Sequence, residues 1–228
     1  MKNQTNIKKI IIISLLIILA IALIIFFVKK AYNHSKTGNN ISNKTVEDIK
    51  NYILNISSYE AEIEVTVNSN KNTNKYILKQ EVVMPNVFIQ EVMEPENIKN
   101  LKTIYDGKTL KIENTKLNLS KIYEEYESVT DNTLFLNTFI ENYKNDTDAN
   151  MKTENEEIIL ECNIQNENKY QVKQKLYVSK STGKPTKMEI KDINENASVY
   201  ILYNEIKINS TKKEDILAFV LERKIDSI

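Results

Sequence analysis

Between Tyr59 and Asn68 every second residue is apolar. Tyr59, Ala61, Ile63, Val65 and Val67 alternate with Glu60, Glu62, Glu64, Thr66 and Asn68. Successive side chains of a strand point to opposite faces, so this pattern specifies a strand with one buried and one wet face, as antiparallel sheets have. The same period returns at Tyr76–Met84, Val87–Met93, Leu101–Tyr105, Thr109–Glu113, Ile158–Ile164, Tyr170–Val178, Lys187–Ile193 and Ser198–Ile208. Leu117–Tyr123 reads either as a further strand or as an irregular crossing. Turn signals separate the runs: the Asn/Lys cluster at 68–75, Pro85, Pro95, Asp106-Gly107-Lys108 and Ser181–Pro185.

Two segments change period. Val46, Ile49, Ile53 and Ile56 share one helical face behind a capping-box start, Thr45 with Asp48 three residues on. Leu134, Phe135, Phe139, Ile140 and Tyr143 have the same spacing, and Lys213–Phe219 reads as a short helical turn. The expectation is an α+β domain over residues 45–228. One helix precedes nine or ten antiparallel strands, and a second helix interrupts them. A large curved sheet needs its inner face covered, and the two amphipathic helices are the available covers.

Ahead of this domain, Ile10 to Val28 runs 19 residues without a charge, flanked by Lys8 and Lys9 on one side and Lys29 and Lys30 on the other. As a helix it is about 28 Å long, close to the roughly 30 Å of a bilayer's hydrocarbon core. A cleaved signal peptide has a shorter apolar core and a small-residue site after it; the one A-x-A, Ala20-Ile21-Ala22, lies inside the run. The expected order is a cytoplasmic leader (1–9), a single transmembrane anchor (10–28), a polar linker (29–44) and an extracytoplasmic domain (45–228). Residues 1–44 carry seven Lys and no acid, leaving 24 bases against 31 acids in the rest, a balance of −7. Such a domain lacks the clustered cations that nucleic-acid binding requires.

Composition removes further classes. One Cys, one His and three widely separated Gly exclude a disulfide scaffold, a Cys/His zinc module and a Gly-rich phosphate loop. Cys162 lies in phase with Ile158, Leu160 and Ile164, as a small core residue does, and His34 falls in the linker. Glu60, Glu62 and Glu64 form the polar side of an alternating strand, and Gln171–Lys175 does the same with the opposite sign. Glu154, Glu156, Glu157 and Glu161 read as a solvated acidic face. No catalytic, cofactor or metal residue is expected, and the residues alone point to an anchored binding domain.

Some local patterns go further. The first helix runs into Ser57-Ser58-Tyr59-Glu60-Ala61. Pro85-Asn86-Val87-Phe88 follows the second strand, Glu94-Pro95-Glu96 the third, and Asp106-Gly107-Lys108-Thr109-Leu110 makes a hairpin. These segments, in this order over residues 46–119, resemble the lipoprotein-carrier family LolA. The resemblance implies an incomplete antiparallel β-barrel whose helices lid an apolar cavity. It gives structural roles to Ser58, Tyr59, Ala61, Pro85, Phe88, Pro95, Asp106, Gly107, Lys108 and Leu110. Where that family carries a lid-holding Arg before its Pro-Asn-x-Phe, this chain has Met84. A chain tethered by Ile10–Val28 also cannot shuttle across a periplasm as the free carrier does.

Thr103–Ser120 (TIYDGKTLKIENTKLNLS) is similar to the clostridial germination lipoprotein GerS and its relatives, in which a lipidated Cys takes the place of a membrane helix. That likeness implies a noncatalytic partner of the cortex N-acetylmuramoyl-L-alanine amidase, a zinc enzyme, in the envelope of the developing spore. Two functions stay open. One is a protein-interaction module in cortex formation or germination. The other is a binder or sensor of lipid or lipopeptide in the barrel cavity.

Overall fold

The computed structural model describes residues 44–69, 71–126 and 132–212, together with Glu214 and Ile216. The expected anchor, Lys9 and Ile10 to Val28 and Lys29, lies outside the described residues. Among the described residues no helix is long and apolar enough to cross a membrane.

Helix α1 (Val46–Leu54) opens the domain. Its capping box forms as the sequence predicts: Thr45 Oγ1 accepts from Asp48 N at 3.1 Å, and Asp48 Oδ2 accepts from Thr45 N at 3.0 Å. Hydrogen bonds from Thr45 also hold the Asp48 carboxyl below its usual range. Ile49 and Ile53 turn inward from this helix.

Eleven strands follow in one sheet. The first six are β1 (Ser58–Asn68), β2 (Thr73–Val83), β3 (Val87–Glu94), β4 (Lys102–Tyr105), β5 (Leu110–Asn114) and β6 (Leu119–Tyr123). After helix α2 (Leu136–Asn145) come β7 (Asn150–Glu154), β8 (Glu157–Asn168), β9 (Gln171–Ser179), β10 (Pro185–Lys191) and β11 (Ala197–Ile208). The spatial order is β6-β5-β4-β3-β2-β1-β11-β10-β9-β8-β7, with every pair antiparallel. Two meanders, β1–β6 and β7–β11, therefore meet along a central β1/β11 seam, and β6 and β7 are the two terminal strands. The chain leaves one edge at β6, passes through α2 and re-enters at the opposite edge.

Among the described residues the α+β architecture expected from the sequence is present in its coarser form, an open antiparallel sheet with two α-helices. Leu117–Tyr123 resolves into a 3-10 turn (Thr115–Leu117) followed by β6. Strand β7 (NMKTE) is not among the expected strands, because its only apolar residue is Met151 and no alternation marks it. The expected turn at Lys213–Phe219 is described only at Glu214 and Ile216.

The register fixes what faces inward. Tyr59, Ala61, Ile63 and Val65 of β1 pair with Val82, Gln80, Leu78 and Tyr76 of β2 on one side, and Val65 and Ile63 with Ile201 and Tyr203 of β11 on the other. Shifts at Glu62/Ile63, Ile77/Leu78 and Ile190/Lys191 interrupt the ladders, and such bulges curve a sheet. Helix α2 lays Leu136, Phe139 and Ile140 on this inner face, where Phe139 and Leu136 are fully buried. Deleting a side chain of that size from a core costs about 3–5 kcal/mol.

The opposite face has its own apolar patch. Val83, Val87, Ile89 and Ile104 point outward in register and enclose Ile216, which is 1% exposed. Beyond β11 the chain is tied to that side of β1. Thr211 N donates to Ser58 Oγ, and the Ser210 and Thr211 hydroxyls donate to Glu60 Oε1.

Candidate functional site

Large apolar side chains of the described residues are exposed in two places only. Leu117 (67%), Leu119 (48%) and Ile122 (50%) lie along or beside β6, and Tyr170 and Ile193 lie at a hairpin end of the sheet. The geometry around β6 is built from its neighbours. Asp106 Oδ1 accepts from Lys108 N at 2.9 Å and Thr109 N at 2.7 Å, and Gly107 takes φ +100, a conformation that a side chain would strain. That turn sets the β4–β5 hairpin, and Lys108 O accepts from Tyr126 N just past β6. Asn114, 3% exposed, donates to Lys99 O and accepts from Leu117 N, so the 3-10 turn is pinned and Leu117 is held outward. Leu119 shares the inner-face register of Leu110 and Ile112, whereas Ile122 faces outward beside Lys111. The terminal strand thus offers apolar side chains on both faces and, among the described residues, a backbone edge with no strand partner, a ready acceptor for another chain.

The opposite edge is built to the contrary specification. In β7, Asn150, Lys152, Thr153 and Glu154 are exposed polar residues, and Lys152 Nζ lies 2.7 Å from Glu154 Oε1.

The residues named from the family pattern take the following places. Ser58 is 1% exposed and receives Thr211 N. Ala61 and Leu110 are buried. Phe88 packs its ring 4.6 Å from that of Phe135 and 5.8 Å from that of Tyr105. Pro85 O accepts from Asn137 Nδ2, which ties the β2–β3 turn to α2. Pro95 precedes a second 3-10 turn (Glu96–Ile98) and accepts from Ile98 N. Asp106 and Gly107 form the β4–β5 turn, and Lys108 pairs with Glu125 at 3.3 Å.

Tyr59 does more than fill space. Its hydroxyl donates to Gln80 Oε1 at 3.1 Å and accepts from Leu136 N at 3.2 Å, so it satisfies an otherwise orphaned N–H at the start of α2. Gln80 also donates to Gln90, and on the far side Gln174 accepts from Asn142 and donates to Thr133 O. Gln80 and Gln174 are fully buried. The reading of Gln171–Lys175 as a solvated polar face therefore fails at Gln174, which fixes the helix from below. The available signal was a polar residue in an apolar phase. Burial raises the Tyr59 and Tyr203 hydroxyls well above their usual range. Cys162, 2% exposed, is a core residue whose thiol burial pushes up to about 12.

At the hairpin end, the β1–β2, β8–β9 and β10–β11 turns frame a cleft of about 780 Å³. A smaller groove, about 410 Å³, runs between the end of α1, Met84-Pro85 and α2. Among the described residues no cluster of His, Cys, Asp or Glu is arranged to hold a metal ion.

The profile of the family described as YdcC, sporulation protein YdcC-like, matches residues 7–217. The chain belongs to this YdcC-like sporulation protein family. No curated protein matches the sequence. Among solved structures, this YdcC-like chain is similar to a chain in the structure of the CwlD amidase from Clostridioides difficile in complex with the GerS lipoprotein. Identity there is 27%, covering 72% of this chain and 95% of that one, with a TM-score of 0.46. It is also similar to the LolA superfamily protein NE2245 from Nitrosomonas europaea, at 13% identity, 76% and 97% coverage and a TM-score of 0.40. An uncharacterised conserved protein from Thermus thermophilus is similar at 11% identity, 76% and 93% coverage and a TM-score of 0.48.

Proposed function

We propose that this YdcC-like chain is a noncatalytic, membrane-tethered sporulation protein that works by docking a protein partner along β6. The partner we assign first is a cortex N-acetylmuramoyl-L-alanine amidase, whose active form the docked domain stabilises. One observation carries the reading. Leu119 and Ile122 are about half-exposed on a terminal strand, with Leu117 exposed in the turn before it, whereas the other terminal strand carries no such residue. An apolar edge left in water is a liability unless something covers it. Strand addition to β6 would use both its free backbone groups and its apolar side chains. The choice of an amidase rests on the germination-lipoprotein likeness of Thr103–Ser120, which corresponds to β4, β5 and the start of β6. Tethering rests on the apolar run Ile10–Val28, with residues 45–228 placed outside the cytoplasm.

The lipid-cavity reading has less support. Between sheet and helices the inner face is filled by Tyr59, Ile63, Phe135, Leu136 and Phe139, each at most 2% exposed.

The test mixes the full chain, in detergent, with the amidase of the same organism. Co-elution on size exclusion and raised amidase activity are expected. Leu119→Lys with Ile122→Lys should abolish both. Absence of co-elution, or a double variant that binds like the wild type, overturns the reading.

A further inference from the structure

The cleft at the hairpin end, far along β1 from α1, is chemically unlike β6. Its floor is apolar, from Val67, Ala197 and Val199. Its rim carries Tyr170, Gln171, Asn72, Lys71 and Asp192. The three turns that frame it are braced against one another. Asn68 Nδ2 donates to Ala197 O at 3.1 Å, Ser198 Oγ to Tyr170 O at 2.6 Å, and Ile193 N to Lys169 O at 3.2 Å. Asp192 is held by the backbone N–H groups of Asn194 and Asn196. The cleft is therefore preformed, and its volume lies within the range of small-ligand sites, about 300–1,000 Å³.

Its functional groups are specific in kind. Tyr170 is 55% exposed; Lys169 Nζ lies 4.8 Å from the ring centroid and so occupies one face, leaving the other open. Asn72 and Gln171 bring side-chain amides to the lining, and each offers both a donor and an acceptor. Two cations, Lys71 in the lining and Lys169 on the Tyr170 ring, stand against one carboxylate of the lining, Asp192.

We propose that this cleft binds an uncharged oligosaccharide, a segment of a glycan strand. A pyranose presents a flat C–H face that stacks on an aromatic ring and an equatorial fringe of hydroxyl and amide groups that pair with Asn and Gln side chains. Two cations, one engaged on a ring and both offset by a carboxylate, are too few for the many phosphate contacts that hold a polyanion such as a nucleic acid. An extended peptide binds by adding to a free strand edge, and this rim of hydrogen-bonded turns provides none. The inference is independent of the docking reading, since it uses neither β6 nor a protein partner.

The test places the full chain in lipid nanodiscs, free of sugar detergents, and titrates it with N-acetylchitotetraose by calorimetry. Saturable binding is expected, weakened about tenfold or more by Tyr170→Ala and by Gln171→Ala, with unchanged thermal unfolding. Leu119→Lys with Ile122→Lys should leave it intact, so its failure is separable from failure of the docking reading. The proposal is overturned by no saturation up to about 10 mM sugar, by Tyr170→Ala binding as tightly as wild type, or by displacement of the sugar by an extended peptide.

Discussion

The two terminal strands answer the same problem in opposite ways. Each is five residues long and each has a single strand neighbour among the described residues. Strand β7 is blunted with charge: Asn150, Lys152, Thr153 and Glu154 face water, and a lysine–glutamate pair lies along it. Strand β6 keeps Leu119 and Ile122 half-exposed, with Leu117 beside them. Natural sheets protect edges with charge, and the more apolar of these two edges, which carries Lys121 as its one charge, is the side on which the proposed docking is placed.

The sharpest way to break the comparison is to make β6 resemble β7. Leu119→Lys with Ile122→Lys removes two apolar side chains that would each contribute roughly 1.5–3 kcal/mol on full burial, so partner affinity should fall by about a hundredfold or more. Titration of labelled amidase reads this, and Met151→Lys on β7 should change it less than about twofold.

A second substitution separates docking from stability. Tyr59→Phe strands Gln80 Oε1 and Leu136 N without a partner. Denaturant unfolding should show a loss of about 1–3 kcal/mol with docking unchanged. Converting β7 toward β6 makes the comparison run backwards: Lys152→Ile with Glu154→Leu should give concentration-dependent self-association in sedimentation, absent from the wild type.

The smallest effect concerns Cys162, one strand in from the protected edge. Its folded value is raised from 9.0 to about 12, so above about pH 9 the unfolded chain releases the proton first. Stability should be level below that pH and decline above it, with the decline reduced in Cys162→Ala. At pH 8 the native thiol should not react with iodoacetamide, and rapid reaction would mean that the β7 edge opens.

Much of this is legible in the sequence, and the limits have physical causes. Strand β1 is plain because its alternation sets a polar residue, Glu, Thr or Asn, after every apolar one. The start of α1 is plain because Thr45 and Asp48 carry a capping chemistry that needs only local geometry. Strand β7 is hidden because a polar edge strand has no buried face to impose a period. The family pattern gives Tyr59 a structural position, but its service to α2 depends on a contact 77 residues away, which no local pattern encodes. The exposed residues of β6 are legible as a strand, yet their exposure follows from being last in the sheet. The hairpin-end cleft assembles three turns distant in sequence, and only the register brings Val67 beside Val199.

The central seam has a consequence for how this chain comes into being. Strand β1 lies in the middle of the sheet, and its second neighbour is the last strand among the described residues, with Tyr59 matched to Ile208 and Val67 to Val199. Until residues 197–208 have emerged, six strands can pair in order while the strand at the heart of the domain remains an open edge. Such long-range closure slows folding and leaves sticky intermediates exposed. A chain cut short anywhere before Ile208 would thus lose more than its last strand: it would turn its most apolar alternation into a free border, and quality control would meet a half-sheet rather than a smaller version of the whole.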